Sequence, residues 1–245
     1  MLQYSKHIKR QFEKSMKDYD KNAVVQDWTA SKMLDELIKY DDYFENILEL
    51  GSGTGLLTRK IAQLLKYKNF FANDLVEESK ICVQKFIPNA NFLCGNALKI
   101  RPSKKFDLII SNAVFQWFNR PDKAVQILKL LLNQNGILSF STFSLENFKE
   151  IKEITGLSLE YKSKEEIEKI LAKNGFEIIY SKTFRHVLKF NTPLELLAHM
   201  KNTGVNSLTP KTWSIKKVKE FCEEYSKKYP DTHLTYSPVI IITRL

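Results

Sequence analysis

The sequence predicts an α/β fold: a doubly wound, mostly parallel sheet of seven strands with helices on both faces. Three observations predict it. From Asn46 onward, short apolar runs alternate five times with longer amphipathic stretches, the rhythm of strands joined by crossover helices. The first apolar run ends in the loop Gly51-Ser52-Gly53-Thr54-Gly55, at the carboxyl end of a strand, where open α/β sheets hold their ligands. No internal repeat, low-complexity tract or Pro/Gly/Ser linker divides the 245 residues, a length that suits one large domain. That domain is read as residues 1–42, a pair of helices acting as a lid; 43–145, the ligand-binding core; and 146–245, the substrate-side helices, an insertion and the last strands.

The elements follow in order. Phe12 and Met16 share a helical face, and Val24, Trp28, Met33, Leu34, Leu37 and Ile38 keep a rough 3.6 period, so two helices precede the first strand. Residues 47–50 form that strand, and Leu56, Leu57, Ile61, Leu64 and Leu65 make one face of the next helix. Residues 68–72 are a second strand, 77–86 a helix, 91–94 a third strand and 106–110 a fourth. Pro121 opens a helix through residue 132, as suits proline in a first turn, and 137–142 is the fifth strand. The rhythm then changes. Residues 146–154 and 163–173 read as helices, the second with Ser163 as N-cap, Glu166 completing a capping box and Gly175 near its end. A strand resumes at 176–180 and is open to continuing as far as Phe190. Residues 192–201 and 215–228 are helices, and 236–243 is the last strand, so about forty residues of helical insertion separate the sixth and seventh strands.

Composition narrows the classes. The chain has 43% hydrophobic residues and a net charge of +10 from 38 Lys+Arg against 28 Asp+Glu, the balance of a folded, non-fibrous protein. Cys82, Cys94 and Cys222 are odd in number, far apart and without a CxxC spacing, which argues against a disulfide framework or a zinc cluster and for a reducing cytoplasm. No metal site is read from the sequence. The N-terminal residues have no apolar core of signal-peptide length, and no run approaches the ~18 apolar residues of a membrane span. The positive charge is spread along the chain rather than gathered in a tail, and nucleic acid, a membrane surface or an acidic protein would each answer it.

The residues around the loop carry the chemistry. Glycines let the backbone turn tightly and approach a ligand closely. Asp74 ends the second strand about twenty residues downstream, where a carboxylate can accept from both hydroxyls of a ribose. A pyrophosphate site would use GxGxxG spacing and a helix N-terminus aimed at the anion. Here the loop is GxGxG with acidic Glu49 two residues before it, which suits a cofactor with no phosphate and a cationic amine.

This ensemble resembles the S-adenosylmethionine-dependent methyltransferases, whose E/DxGxGxG motif marks the first strand and loop, and the resemblance implies their Rossmann-like class I fold. It assigns Glu49, Gly51, Ser52, Gly53 and Gly55 to the cofactor, Asp74 and Leu75 to its ribose side, and Asn96 and Ala97 to its adenine. The family usually has Asp where this chain has Asn96, whose amide oxygen can still accept. Residues 106–112 match the fourth strand, which ends beside the reactive methyl and brings Asn112 there, and Asn135-Gly136 matches the turn before the fifth strand with its usual proline absent.

Outside that core, residues 12–26, 111–117, 140–143 with 146–148, 196–206 and 234–236 are similar to the malonyl-acyl carrier protein O-methyltransferases of the biotin pathway. In that family a malonyl thioester's free carboxylate is methylated so that fatty-acid synthesis can elongate it toward pimelate. The resemblance implies S-adenosylmethionine as cofactor and malonyl-loaded acyl carrier protein as partner, with malonyl coenzyme A as a further possibility, a monomer, and no nucleic acid or membrane. A carboxylate is already a nucleophile at pH 7, so no general base is needed, and His7, His186, His199 and His233 form no constellation. Positioning then dominates, which calls for a lid. Tyr19 is its candidate, closing over the cofactor, with Asp18 accepting from it. Gln116 and Trp117 are candidate neutral donors to the acceptor carboxylate, and Lys201 and Arg185 are candidates to hold the thioester arm. Two other readings stay open on sequence grounds: a methyltransferase of a free small carboxylic acid, and an RNA methyltransferase. The second is weakened by Ser-Asn-Ala-Val-Phe where an amino-methylating enzyme commonly carries Asn/Asp-Pro-Pro-aromatic.

Overall fold

The computed structural model describes residues 9–10, 12–13, 16, 18–204 and 213–245. His7, Lys14, Ser15 and Lys17 of the N-terminal segment, and Val205 and Asn206 at the end of another matched segment, lie outside the described residues.

Seven strands form one sheet: β1 (Tyr43–Leu50), β2 (Lys66–Asp74), β3 (Asn91–Cys94), β4 (Phe106–Ser111), β5 (Leu132–Phe143), β6 (Glu177–Thr183) and β9 (Pro238–Arg244). Their spatial order is β3-β2-β1-β4-β5-β9-β6. The pairs from β3 through β5 are parallel, while β9 runs antiparallel between β5 and β6. Strand order reverses between β1 and β4, so the loops leaving these two strands part to opposite faces and open a crevice at their carboxyl ends.

The helices are α1 (Val24–Leu37), α2 (Leu56–Leu64), α3 (Ser79–Gln84), α4 (Pro121–Leu131), α5 (Lys149–Thr155), α6 (Lys164–Lys173), α7 (Pro193–Asn202) and α8 (Ile215–Lys228). Strand alternation sends neighbouring residues to opposite faces of the sheet. Ile47, Leu108 and Ile240 join Leu34 and Ile61 of α1 and α2 in one core, and Leu48, Ile109 and Ile241 join Val125, Leu128 and Leu171 of α4 and α6 in the other. A third cluster, with Leu196, Phe221, Tyr225 and Tyr236, lies under the insertion. The described residues between 9 and 22 are helical and are separated from α1 at Ala23, as the two-helix reading expects. The capping box of Ser163 and Glu166 is present.

Two differences from the sequence reading matter for the site. The sixth and last strands are each broken: a short antiparallel ribbon of β7 (His186–Lys189) and β8 (His233–Tyr236) stands apart from the main sheet. Tyr236, read as the first residue of the last strand, belongs to this ribbon, and β9 begins at Pro238. A proline has no N–H for a ladder and so sits naturally at a strand's first position. The strand β5 also begins earlier than expected, at Leu132. Its register against β4 slips between the Phe106 and Leu108 pairs, and Asn135 there has φ +64°, the left-handed conformation that Asn tolerates better than most residues.

Candidate active site

A cavity of 460 Å³ opens at the carboxyl ends of β1 to β4. Its floor is the glycine loop. The amides of Gly51 and Ser52 donate to the Asn73 carbonyl at 2.8 and 3.0 Å, which folds the loop back onto β2. Gly51 has φ +68°, and a Cβ there would sit 2.3 Å from Val114 Cγ2, so only glycine fits without moving the loop after β4.

Asp74 stands where the sequence reading puts it. Its Oδ2 accepts from the Gly53 amide at 2.8 Å and its Oδ1 from the Val76 amide at 2.9 Å, which fixes the carboxylate while leaving a lone pair on each oxygen. Burial raises its pKa against the pull of these amides. Beneath the loop Glu49 is completely buried. Thr58 donates to its Oε2 at 2.6 Å, its Oε1 has no hydrogen-bond partner, and burial, with Asp74 adding to it, pushes its pKa up to about 8. Ser52 Oγ, also buried and without a partner, belongs to a residue of the cavity wall.

Leu75, Asn96 and Ala97 line the cavity. The Asn96 amide oxygen, expected to accept from adenine, already accepts from the Leu98 amide at 2.9 Å, one turn of loop away. Asn112 reaches the wall too, but both ends of its amide are engaged: Nδ2 donates to the Gln26 carbonyl at 3.0 Å and Oδ1 accepts from Ser141 at 2.6 Å. It therefore ties α1 to the ends of β4 and β5.

The roof is the N-terminal helix. Lys9, Phe12, Met16 and Tyr19 line the cavity, one helical face at three- and four-residue spacing. Tyr19 packs on Phe12 with ring centroids 6.2 Å apart, and Phe12 meets Trp117 edge-on at 6.1 Å. Burial first, then Asp20 and Asp74, holds the Tyr19 hydroxyl above its ordinary pKa. Asp18 falls off this face and is exposed. The acid that ties the helix down is Asp20, whose Oδ1 accepts from Thr54 Oγ1 of the glycine loop at 2.5 Å. Asp27 of α1 adds ion pairs to Arg59 and Lys60 of α2 at 3.3 and 3.0 Å.

Of the two expected donors, Trp117 lines the cavity. Gln116 does not: its Nε2 donates to the Ala113 carbonyl at 2.7 Å and its Oε1 accepts from Thr142 at 3.3 Å, which braces the tight turn where Ala113 has φ +56°.

A family model described as "Methyltransferase domain" matches residues 25–181. A malonyl-[acyl-carrier protein] O-methyltransferase of Bacteroides thetaiotaomicron is 35% identical over 253 residues, covering 97% of this chain and 97% of the relative.

The chain belongs to the malonyl-[acyl-carrier protein] O-methyltransferase family.

Among solved structures, a methyltransferase fold from Bacillus halodurans aligns with TM-score 0.65 at 16% identity, over 88% of this chain and 97% of that one. The N-methyltransferase NodS of Bradyrhizobium japonicum, solved with S-adenosylhomocysteine, aligns with TM-score 0.53 at 12% identity, over 88% and 84%. These confirm the class I methyltransferase fold.

Of the family reading's candidates Glu49 and Gly55 also do not line the cavity, and two others lie elsewhere. Lys201 and Arg185 are both exposed, and neither lines the cavity. The cations at the wall are Lys9, Lys99, Arg120 and Lys123. Arg120 is committed to Asp122 through two contacts of 3.0 and 2.7 Å. Sequence reasoning missed this group because its members come from three distant segments; only the 9-12-16-19 spacing carried a readable signal, for Lys9. Among the described residues no cluster of His, Cys, Asp or Glu could hold a metal ion, and no helix is long and apolar enough to cross a membrane.

Proposed function

We propose that this protein is an S-adenosylmethionine-dependent methyltransferase that esterifies the free carboxylate of malonyl-acyl carrier protein, an early step toward the pimeloyl chain of biotin. The observation that carries the reading is the full-length match to relatives of that name, because it includes the acceptor-side segments as well as the cofactor core.

The cavity fits the cofactor. Two acids, buried Glu49 and half-buried Asp74, are both held above their ordinary pKa by burial, a cost that a bound cation offsets. Asp74 suits the ribose hydroxyls, the Gly51, Ser52 and Gly53 backbone gives close approach, Gly55 turns the loop into α2, Glu49 acts on the amine end from beneath the loop, and Leu75, Asn96 and Ala97 form the adenine side. When bound, S-adenosylmethionine supplies a sulfonium methyl that a nucleophile takes by direct displacement. The protein's task is to bring the acceptor carboxylate to it and keep water out. Tyr19, Phe12 and Trp117 close the wall with apolar surface, and the Trp117 indole N–H is a neutral donor that orients a carboxylate without neutralising it. Asn112 and Gln116 hold the loop that carries Trp117. None of the described histidines lines the cavity, in keeping with a nucleophile that needs no base.

Lys9, Lys99 and Lys123 place positive charge at the cavity, where it attracts an acidic carrier protein. Lys201 and Arg185 suit the carrier's surface or its thioester arm rather than the reacting carboxylate. The reading further takes the protein as one monomeric, cytoplasmic domain, with malonyl coenzyme A as a second acceptor and neither nucleic acid nor membrane as partner.

The test offers methyl-labelled S-adenosylmethionine with malonyl-acyl carrier protein, malonyl coenzyme A, free malonate or RNA. Label on the malonyl thioester, released as methanol by mild base, is expected. Label on RNA alone, or on free malonate as readily as on the thioester, overturns the proposal.

A further inference from the structure

Segments far apart in the chain meet beside the cavity in a buried polar contact that the reading above does not use. His199, on α7, brings its Nε2 within 2.6 Å of the Tyr236 hydroxyl on β8. Both side chains are buried, Tyr236 completely. Phe148 and Phe143 wall the tyrosine at centroid distances of 4.7 and 5.9 Å, and the two partner rings stand at 84°. Tyr19 and Tyr161 are close enough to oppose ionisation of Tyr236, and the Thr203 hydroxyl donates to the His199 and Met200 carbonyls at 3.0 and 3.2 Å. Burial drives the His199 pKa down to about 4, so the pair is neutral across the working range. At the far end of α7 the chain turns at Gly204, with φ +74°, where a Cβ would lie 3.1 Å from the Phe12 ring. Phe12 is the ring that touches both Tyr19 and Trp117.

A contiguous path results. Strand β8 holds α7 through one hydrogen bond, α7 ends in a glycine that leaves room for Phe12, and Phe12 sets the two rings at the cavity wall. A purely apolar pair would hold α7 to β8 as firmly but without register, since apolar contact is non-directional; a hydrogen bond fixes distance and angle.

We propose that His199 and Tyr236 are positioning residues: their hydrogen bond fixes α7 and thereby seats Phe12, Tyr19 and Trp117 over the cavity when the cofactor site is filled. The proposal rests on the methyl-transfer reading of this cavity, and its first readout does not depend on turnover.

The test uses the full chain and the Tyr236→Phe variant, which keeps the ring. S-adenosylhomocysteine should slow amide exchange in helical residues 18–22 of the parent protein by about tenfold, and the variant should lose that protection while its affinity for S-adenosylhomocysteine stays within about twofold. With malonyl-acyl carrier protein the variant's kcat should fall about tenfold with little change in KM. In a cycle with Tyr19→Phe the two losses should be strongly non-additive, because one acts through the other. A merely structural pair gives additive losses and leaves the exchange protection intact, and either result overturns the proposal. So does a tenfold weaker cofactor affinity, which would place Tyr236 at the cofactor itself. Should Tyr236→Phe fail to fold, His199→Gln, which retains a donor and an acceptor, is read the same way: retained protection and kcat are expected there, and their loss in a folded protein overturns it. If the parent shows protection but no transfer to any malonyl thioester, the functional reading fails while this one stands.

Discussion

On the proposed reading, the cofactor side and the acceptor side of the cavity are built by opposite means. The cofactor side comes from one continuous stretch, residues 47–97, and its key contacts use backbone: the amides of Gly51, Ser52, Gly53 and Val76 set the loop and the Asp74 carboxylate. Its two acids, buried Glu49 and half-buried Asp74, are both held above their ordinary pKa by burial. The acceptor side is gathered from the N-terminal helix and the turn after β4, and it consists of aromatic rings, Tyr19, Phe12 and Trp117, with the neutral His199–Tyr236 hydrogen bond of α7 and β8 outside the wall. The contrast follows the chemistry of the two reactants. A cation is favoured by buried carboxylates, whereas an anion that must remain nucleophilic is served by neutral donors, with lysines kept at the surface to attract its carrier.

Substitutions that separate the two sides sharpen the comparison. The largest effect is expected at Asp74→Ala, which removes two acceptors on the cofactor side: cofactor affinity measured by calorimetry should weaken by about 100-fold, the worth of two hydrogen bonds to a charged group at about 1.5 kcal/mol each. A loss of acceptor KM alone would erase the division. Next comes Tyr19→Phe on the acceptor side, which should lower turnover about tenfold while moving the melting temperature by only a few degrees, as expected for one hydroxyl. Unchanged turnover would remove Tyr19 from the site.

The last comparison reads stability rather than binding or turnover. Glu49 titrates near 4.5 when exposed and at about 8 when folded, so between those values the native state binds the extra proton and stability falls as pH rises. Glu49→Gln abolishes that slope. Thermal unfolding without cofactor should show the variant gaining on the parent from about pH 5 to about pH 8, and parallel curves would mean that Glu49 is ionised in the fold.

The same contrast explains what the sequence made legible. Glu49, the GxGxG loop and Asp74 were readable because a backbone-built site leaves a local pattern: glycines at fixed spacing and an acid at the next strand end. The seven strands were readable from their apolar runs. The ribbon was not, since His186–Lys189 continues the apolar alternation of β6 and only the register of β7 against β8 separates them. Trp117 and Gln116 are adjacent in sequence, but a tight turn puts one in the wall and spends the other on the Ala113 carbonyl. Asp18 and Asp20 look alike in the sequence, and only the helical face decides that Asp20 is the one joined to Thr54. The lysines at the cavity could not be singled out among 38 Lys+Arg before the fold brought three segments together.

The most direct test of the account is the ratio of kcat/KM for malonyl-acyl carrier protein to that for malonyl coenzyme A and free malonate, measured at low and high salt with S-adenosylmethionine varied in parallel. The account predicts a preference for the carrier protein of about tenfold or more at low salt. Salt should reduce it by raising the carrier's KM while leaving that of the cofactor nearly unchanged. Equal specificity for free malonate, or equal salt sensitivity for carrier and cofactor, would contradict it.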